Sequence, residues 1–219
     1  MSSRVKTYNS PLREEQARQT RERILRAARE TFRDRGYGAT TLADIADAAG
    51  VAEPTVRAVF KTKPKLVEHL LRLAVRGEDN ELQLHEREAF KHMLAATDPD
   101  TLLDRLADIA GSLHPRSWDV FEIVRGAASS DPTIAGLHKE RVRLRHANQK
   151  TIAKRLDELG ALPDGTSVEE AADLLWLYTA PENFHMLVIE RGWPVKRYRS
   201  WFRSAVATVL AGRRSLGVA

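Results

Sequence analysis

The 219-residue chain contains no cysteine. A disulfide framework and a thiolate metal site are therefore both excluded, and with them the usual signature of a small secreted domain. Apolar runs are short, none approaching the roughly 18 residues that a membrane span needs. The first residues carry charges with no apolar segment behind them, so export is not expected and a cytoplasmic protein is the default. Metal-binding spacings are missing as well. The seven histidines form no HxxxH or HExxH pair, and His85 with His92, or His138 with His146, stand too far apart along a helix to share one ion without further ligands. There is no glycine-rich phosphate loop and no G-x-S-x-G elbow. We expect no metal, no cofactor and no enzymatic activity. Strand-like alternation of useful length is also absent, which leaves an all-α fold.

Charge is present but unevenly spread. Residues 1–76 carry 16 Lys and Arg against 9 Asp and Glu, net +7, whereas residues 77–219 carry 19 against 21, net −2. A positive field on the first third suits a polyanion, because each neutralised phosphate releases counterions and adds sequence-independent affinity. The remainder has ordinary globular surface.

Within that basic third, Thr41 to Phe60 (TLADIADAAGVAEPTVRAVF) reads as two short helices joined by a tight turn. Leu42, Ile45, Ala46 and Ala49 recur at helical spacing and share one face. Thr41 with Asp44 forms a capping-box-like start, and Gly50 supplies the left-handed residue that ends the helix. The second helix begins near Ala52, with Pro54 in its first turn, where a missing N–H has no intrahelical partner to lose. Val56 and Phe60 point inward; Glu53, Pro54, Arg57, Ala58 and Lys61 point outward. A short exposed helix with a guanidinium at its middle matches what a major groove admits. The plain alternative is a helical corner with a solvated face.

On either side of this corner the pattern stays helical. Residues 1–18 lack apolar periodicity, mix Ser, Asn and Pro with basic residues, and read as a flexible basic arm. From Thr20 to Arg35, Ile24, Leu25, Ala28 and Phe32 make one stripe that Gly36 stops. Tyr37 has two open readings, a structural staple between helices or a hydroxyl reaching a phosphate. After Lys61, Thr62 caps a helix running from Lys63 to about Arg76, which sets ammonium groups beside a helix N-terminus. The expected organisation is an arm (1–18), a helix-turn-helix domain (19–65) and a larger helical domain (66–219).

Several of these cues together carry a resemblance. From Thr20 to Leu71, the RGY-x-x-TT segment, the IA-x-x-AGV turn, the T-V-x-x-x-F helix and the lysine before an apolar helix are similar to the N-terminal module of the TetR family of bacterial transcriptional regulators. Two departures stand out: Ala52 occupies a position where family members usually have a capping Ser or similar residue, and Arg57 one where they often have a phosphate-binding Tyr. The resemblance implies a homodimeric, ligand-responsive regulator, a repressor, of double-stranded DNA bearing a two-fold symmetric operator; the alternative is an all-α regulator or interaction protein with no small-molecule inducer. Carried onto these residues, Tyr37, Thr40, Thr41, Thr55, Lys61 and Lys63 would hold the backbone, while Arg57, Ala58 and Glu53 would face bases.

Beyond residue 76 the chain reads as further helices: Leu84–Ala96, Pro99–Leu113, Arg116–Ser129, Asp131–Leu159, Ser167–Tyr178, Pro181–Arg191 and Val195–Leu210. Ser167 with Glu170 is a good capping box. Ile134, Leu137, Arg141, Leu144, Ile152, Leu156 and Leu159 mark the stripe of the long helix after Asp131. In the TetR family this region binds a small molecule and dimerises, and DLLWLYTAPENFHMLVIERGWPVKRYRSWF resembles it. Leu174, Leu177, Phe184, Leu187, Val188, Trp201, Val206 and Leu210 suit either a partner helix pair or intradomain core. Trp118, Phe121, Trp176, Tyr178, Phe184 and His185 are the candidates for lining a pocket for a small-molecule inducer, and each is equally readable as core packing.

Overall fold

A computed structural model of the chain describes residues 11–77 and 87–211, apart from the side chains of residues 11, 76 and 209–211. Every regular element among them is helical: α1 (Pro11–Arg35), α2 (Leu42–Ala49), α3 (Glu53–Phe60), α4 (Lys63–Arg76), α5 (Glu88–Leu94), α6 (Pro99–Ala127), α7 (Pro132–Glu158), α8 (Val168–Tyr178), α9 (Pro181–Phe184) and α10 (Val195–Ala211). A π-helical turn, His185–Glu190, continues α9. The chain divides into two compact units, Met1–Leu70 and Leu71–Ala219.

The first unit buries Ile24, Ala28 and Phe32 of α1, Ile45 and Ala46 of α2, Val56 and Phe60 of α3, and Leu66, Val67 and Leu70 of α4. Each large side chain buried in this way contributes about 1.5–3 kcal/mol. The unit ends after Leu70 rather than Lys65, the expected boundary, because the first turns of α4 complete its core. His69 meets the Phe60 ring edge-on at 5.3 Å, and the Arg21 guanidinium lies over the same ring at 5.3 Å.

Helix α1 also starts earlier than its apolar stripe. Residues 11–18, expected to be flexible arm, are helical; residues 1–10 of that segment lie outside the described ones. Pro11 sits at the first helical position, where it is preferred. Arg18 then donates to Glu15 at 3.0 Å and to Glu22 at 2.5 Å, and Gln19 donates to Glu15 at 2.7 Å. Side-chain pairs three and four apart stabilise a helix with no apolar face to bury.

In the second unit α7 packs on α8, α10 lies along α6, and α5 and α9 also rest on α6. Phe90, Met93, Leu102, Leu106, Ile152, Leu156, Leu175, Phe184, Tyr198 and Phe202 form one buried cluster. Local caps hold the helix starts: Asp98 accepts from Thr101 N–H at 2.8 Å, Asp131 from Thr133 N–H at 2.9 Å, and Ser167 with Glu170 closes a capping box. Helix α6 corrects an expected break, since it runs unbroken through Pro115 where two helices were anticipated. A proline ring clashes with the carbonyl four residues back, here that of Gly111. At Gly111 α10 comes close, so that an added Cβ would meet Arg199 Cδ at 3.4 Å. Ion pairs of Arg199 with Asp108, and of Arg203 Nε with Asp104 at 3.0 Å, fasten α10 along α6. Of the expected helix 84–96, residues 87–96 are described, and Glu88–Leu94 are helical.

Candidate nucleic-acid interface

The corner in the first unit is built by local chemistry. At the start of α2 the Thr41 N–H and hydroxyl both donate to the Asp44 carboxylate, at 2.8 and 2.6 Å, and Asp44 N–H donates to the Thr41 hydroxyl at 3.1 Å. Those bonds hold the Asp44 carboxyl below the usual carboxylate range, with the Thr41 hydroxyl the largest cause. Gly50 then takes φ 62° and ψ 42°, and Val51 N–H returns to Ala46 O at 3.0 Å. This closes α2 in a left-handed cap and starts α3 at an angle to it. Ala52 forms no side-chain cap, as its methyl dictates, and Pro54 follows within the first turn of α3.

On α3, Val56 and Phe60 are fully buried, whereas Pro54, Arg57 and Ala58 are exposed and Thr55 is half-buried. The Arg57 side chain is 60% exposed and pairs with Glu53, 35% exposed, across one turn. The helix ends in an unusual way. Lys61 has φ 63° and ψ −57°, and Thr62 N–H reaches back to Phe60 O at 2.7 Å. That is the rarer, strained form of the γ-turn, which a side chain resists. It turns the chain from α3 into α4 while leaving Lys61 in solvent.

Three of the residues considered for the DNA backbone make contacts inside the unit. Thr40 is fully buried and its hydroxyl donates to Gly36 O at 2.8 Å, so it supports the 36–41 loop from inside. Tyr37 is 8% exposed, its ring 5.6 Å from that of Phe32, which is the staple arrangement. Lys63 donates to Tyr37 O at 2.8 Å and Thr40 O at 2.9 Å, with its ammonium 4.2 Å from the Tyr37 ring centroid. Two of its three donors thus serve loop carbonyls. Thr41, Arg57, Ala58 and Lys61 remain exposed.

The second unit scatters the six candidate lining residues. Among the described residues, Trp118 and His185 are the only ring pair formed between two of them, stacked at 5.0 Å. Phe121 is buried beneath the Arg141 guanidinium at 4.4 Å, and Trp176 lies beneath that of Arg145 at 3.3 Å. Phe184 belongs to the core, where it meets the Tyr198 ring edge-on at 5.2 Å and the His114 ring at 6.2 Å. Tyr178 is half-buried against the same cluster. The two arginines were missed as a site in the sequence; the available signal was Arg141 standing in an apolar row. Burial, and then the charge of Arg141, lower the Arg145 guanidinium to about 10, and burial lowers Arg141 too. Fully enclosed His114 is pushed down to about 3 by burial. No group of three or more His, Asp or Glu side chains able to hold a metal occurs among the described residues, which do not include His85.

Comparison with known proteins agrees with this geometry. Residues 24–70 match the family model for bacterial regulatory proteins of the tetR family. The chain is 37% identical over 92 residues to a probable HTH-type transcriptional regulator, ArpR, of Pseudomonas putida, covering 42% of this chain and 38% of that protein. It is 46% identical over 57 residues to the HTH-type transcriptional regulator TtgR, also of Pseudomonas putida, covering 26% of this chain and 27% of that protein. The chain thus spans about a third of the length of these curated relatives. Among solved structures, the TetR family regulator PfmR of Thermus thermophilus superposes with a TM-score of 0.62 at 21% identity, over 87% of this chain and 95% of that one. A putative transcriptional regulator of Saccharomonospora viridis in complex with choline gives a TM-score of 0.62 at 21% identity, over 85% and 95%. These likenesses show a shared fold over most of the chain, and the match to the family model falls on the residues that form α1 to α4 of the first unit.

Proposed function

We propose that this chain, a TetR family transcriptional regulator by its N-terminal module and its fold, is a cytoplasmic, ligand-responsive repressor that binds a two-fold symmetric operator as a homodimer. The observation that carries the reading is the exposure of Arg57 and Ala58 on a helix whose opposite face is locked into the core by Val56 and Phe60. Such a helix can enter a major groove with its backbone fixed. Arg57 would read a base edge, with Glu53 orienting it. Thr41, Thr55 and Lys61 would hold phosphates, and Tyr37, Thr40 and Lys63 would keep the loop that presents them in place. Half-sites would lie about one helical turn apart, roughly 34–36 Å, or slightly more.

Dimerisation would use α8 and the segment after it. Leu177, Met186 and Ile189 are 59%, 48% and 45% exposed, more apolar surface than a lone protomer needs there. Phe184 and Val206, also considered for that interface, are buried within the protomer, and the Leu210 side chain lies outside the described ones. A small molecule in the second unit would release DNA by favouring a dimer whose helices no longer match the groove spacing, which needs only differential affinity for two states. The choline-bound relative supports ligand binding as a property of this fold. Selection of bound sequences from random DNA at stated salt tests the reading. An inverted repeat is expected; enrichment of no sequence, or of a single asymmetric half-site, would overturn it.

A further inference from the structure

Helix α7 carries one inward row that is not apolar. His138, Arg141, Arg145 and Gln149 follow one another at i, i+3, i+7 and i+11, within roughly 80° of arc on a helix of 3.6 residues per turn. Three atoms of this row, His138 Nδ1, Arg141 Nε and Gln149 Oε1, are buried with no hydrogen-bond partner. Arg145 is partly satisfied, donating to Trp176 O at 2.8 Å and Thr179 Oγ1 at 3.3 Å. Arg141 forms no ion pair among the described residues; it lies over Phe121, one turn beyond Trp118 on α6.

The nearby carboxylates do not balance this charge. Glu122 is engaged by Arg125, whose Nε donates to it at 3.1 Å, and Glu182 stays in solvent. Both act on Arg141 at a distance without contacting it. Burial depresses the charged form of both guanidiniums, and the charge of Arg141 depresses Arg145 and His138 further. An interior cation with an aromatic face beside it but no counter-ion gives up hydration that the ring replaces only in part.

We propose that this row reads the charge of the effector, and that the effector is a small organic acid: a carboxylate meets Arg141, with Arg145 behind it, and an apolar or aromatic body lies against Phe121 and Trp118. The assignment rests on the ligand-responsive reading above. Guanidinium offers donors in a fixed fork and no acceptor, which matches a two-oxygen anion. The same charge repels a quaternary ammonium such as choline.

Two measurements on the full chain test it. The first needs no ligand: Arg141→Met keeps most of the side chain's volume over Phe121 and removes the unpaired charge, so the thermal midpoint is expected to hold or rise by a few degrees. A fall of several degrees would make Arg141 a structural residue and overturn the assignment. The second compares benzoate, phenylacetate and octanoate with their primary amides at matched concentration, by thermal shift and by release of the selected operator. At least one acid is expected to raise the midpoint and release DNA, its amide to do neither, and Arg141→Met to weaken the acid tenfold or more. Amides matching the acids, a response surviving Arg141→Met, or no response to any acid would overturn the acid assignment. Operator release by an amide would leave the ligand-responsive reading standing, whereas failure of the random-sequence selection would remove that reading itself.

Discussion

The Arg57 guanidinium donates to the Glu53 carboxylate one turn earlier on the outward face of α3, Nε to Oε1 at 2.8 Å. An exposed pair of this spacing adds only about 0.3–0.5 kcal/mol to the helix; in the proposed function it serves to aim the guanidinium. Arg57→Ala should cost about 1–3 kcal/mol at the cognate operator and relax base preference at one position per half-site. Glu53→Ala should leave stability nearly unchanged, raise affinity for random DNA and broaden the selected sequence. Titrations on cognate and scrambled duplexes at two salt concentrations separate the two effects.

Lys63 is expected to behave as a structural residue first. Replacing it with Met strips Tyr37 O and Thr40 O of a charged donor, and should cost about 1–2 kcal/mol of stability. Denaturant unfolding would register the loss without any DNA present. Wild-type stability in Lys63→Met would mean that the loop carbonyls find other donors.

At Lys61 the direction reverses. Its φ of 63° with ψ of −57° is a conformation glycine adopts freely, so Lys61→Gly should raise stability by about 1 kcal/mol, or roughly 2–4 °C at this chain length. If its ammonium touches a phosphate in the complex, the same variant will reduce the slope of log affinity against log salt by about 1. Stability and affinity would then move in opposite directions.

Acid should weaken the second unit through His114. Its Nδ1 lies 2.8 Å from the Tyr198 hydroxyl, and burial lowers its pKa from 6.5 to about 3 while raising that of Tyr198. The unfolded chain therefore binds the proton first as pH falls. The stability this site contributes is fully present above about pH 6.5 and is lost progressively towards pH 3, by at most about 1.4 kcal/mol per unit. Unfolding curves measured across that range should be flatter for His114→Phe than for the wild type, even if the variant starts less stable.

Features set by a few neighbouring residues were legible in the chain itself. Thr41 with Asp44, Gly50, Asp131 and Ser167 with Glu170 all form the caps their spacing implies, because a cap needs only the three or four residues around it. The outward face of α3 was legible for the same reason. Lys63 was not, since its partners at Tyr37 and Thr40 lie 26 and 23 residues away. Nor was the start of α1, where ion pairs take the place of an apolar stripe. The aromatic residues of the second unit showed their bulk but not their neighbours. Whether Phe121 packs beneath a leucine or a guanidinium depends on how α6 and α7 meet.

Pro115 gives α6 a mechanical character that a plain helix of 29 residues would lack. With no amide hydrogen at that step, one rung of the backbone ladder is missing, and bending stiffness drops there while the stretches before and after keep theirs. Trp118 and Phe121 follow that step at three and six residues, so both rings project from the stretch of α6 that begins at the missing rung.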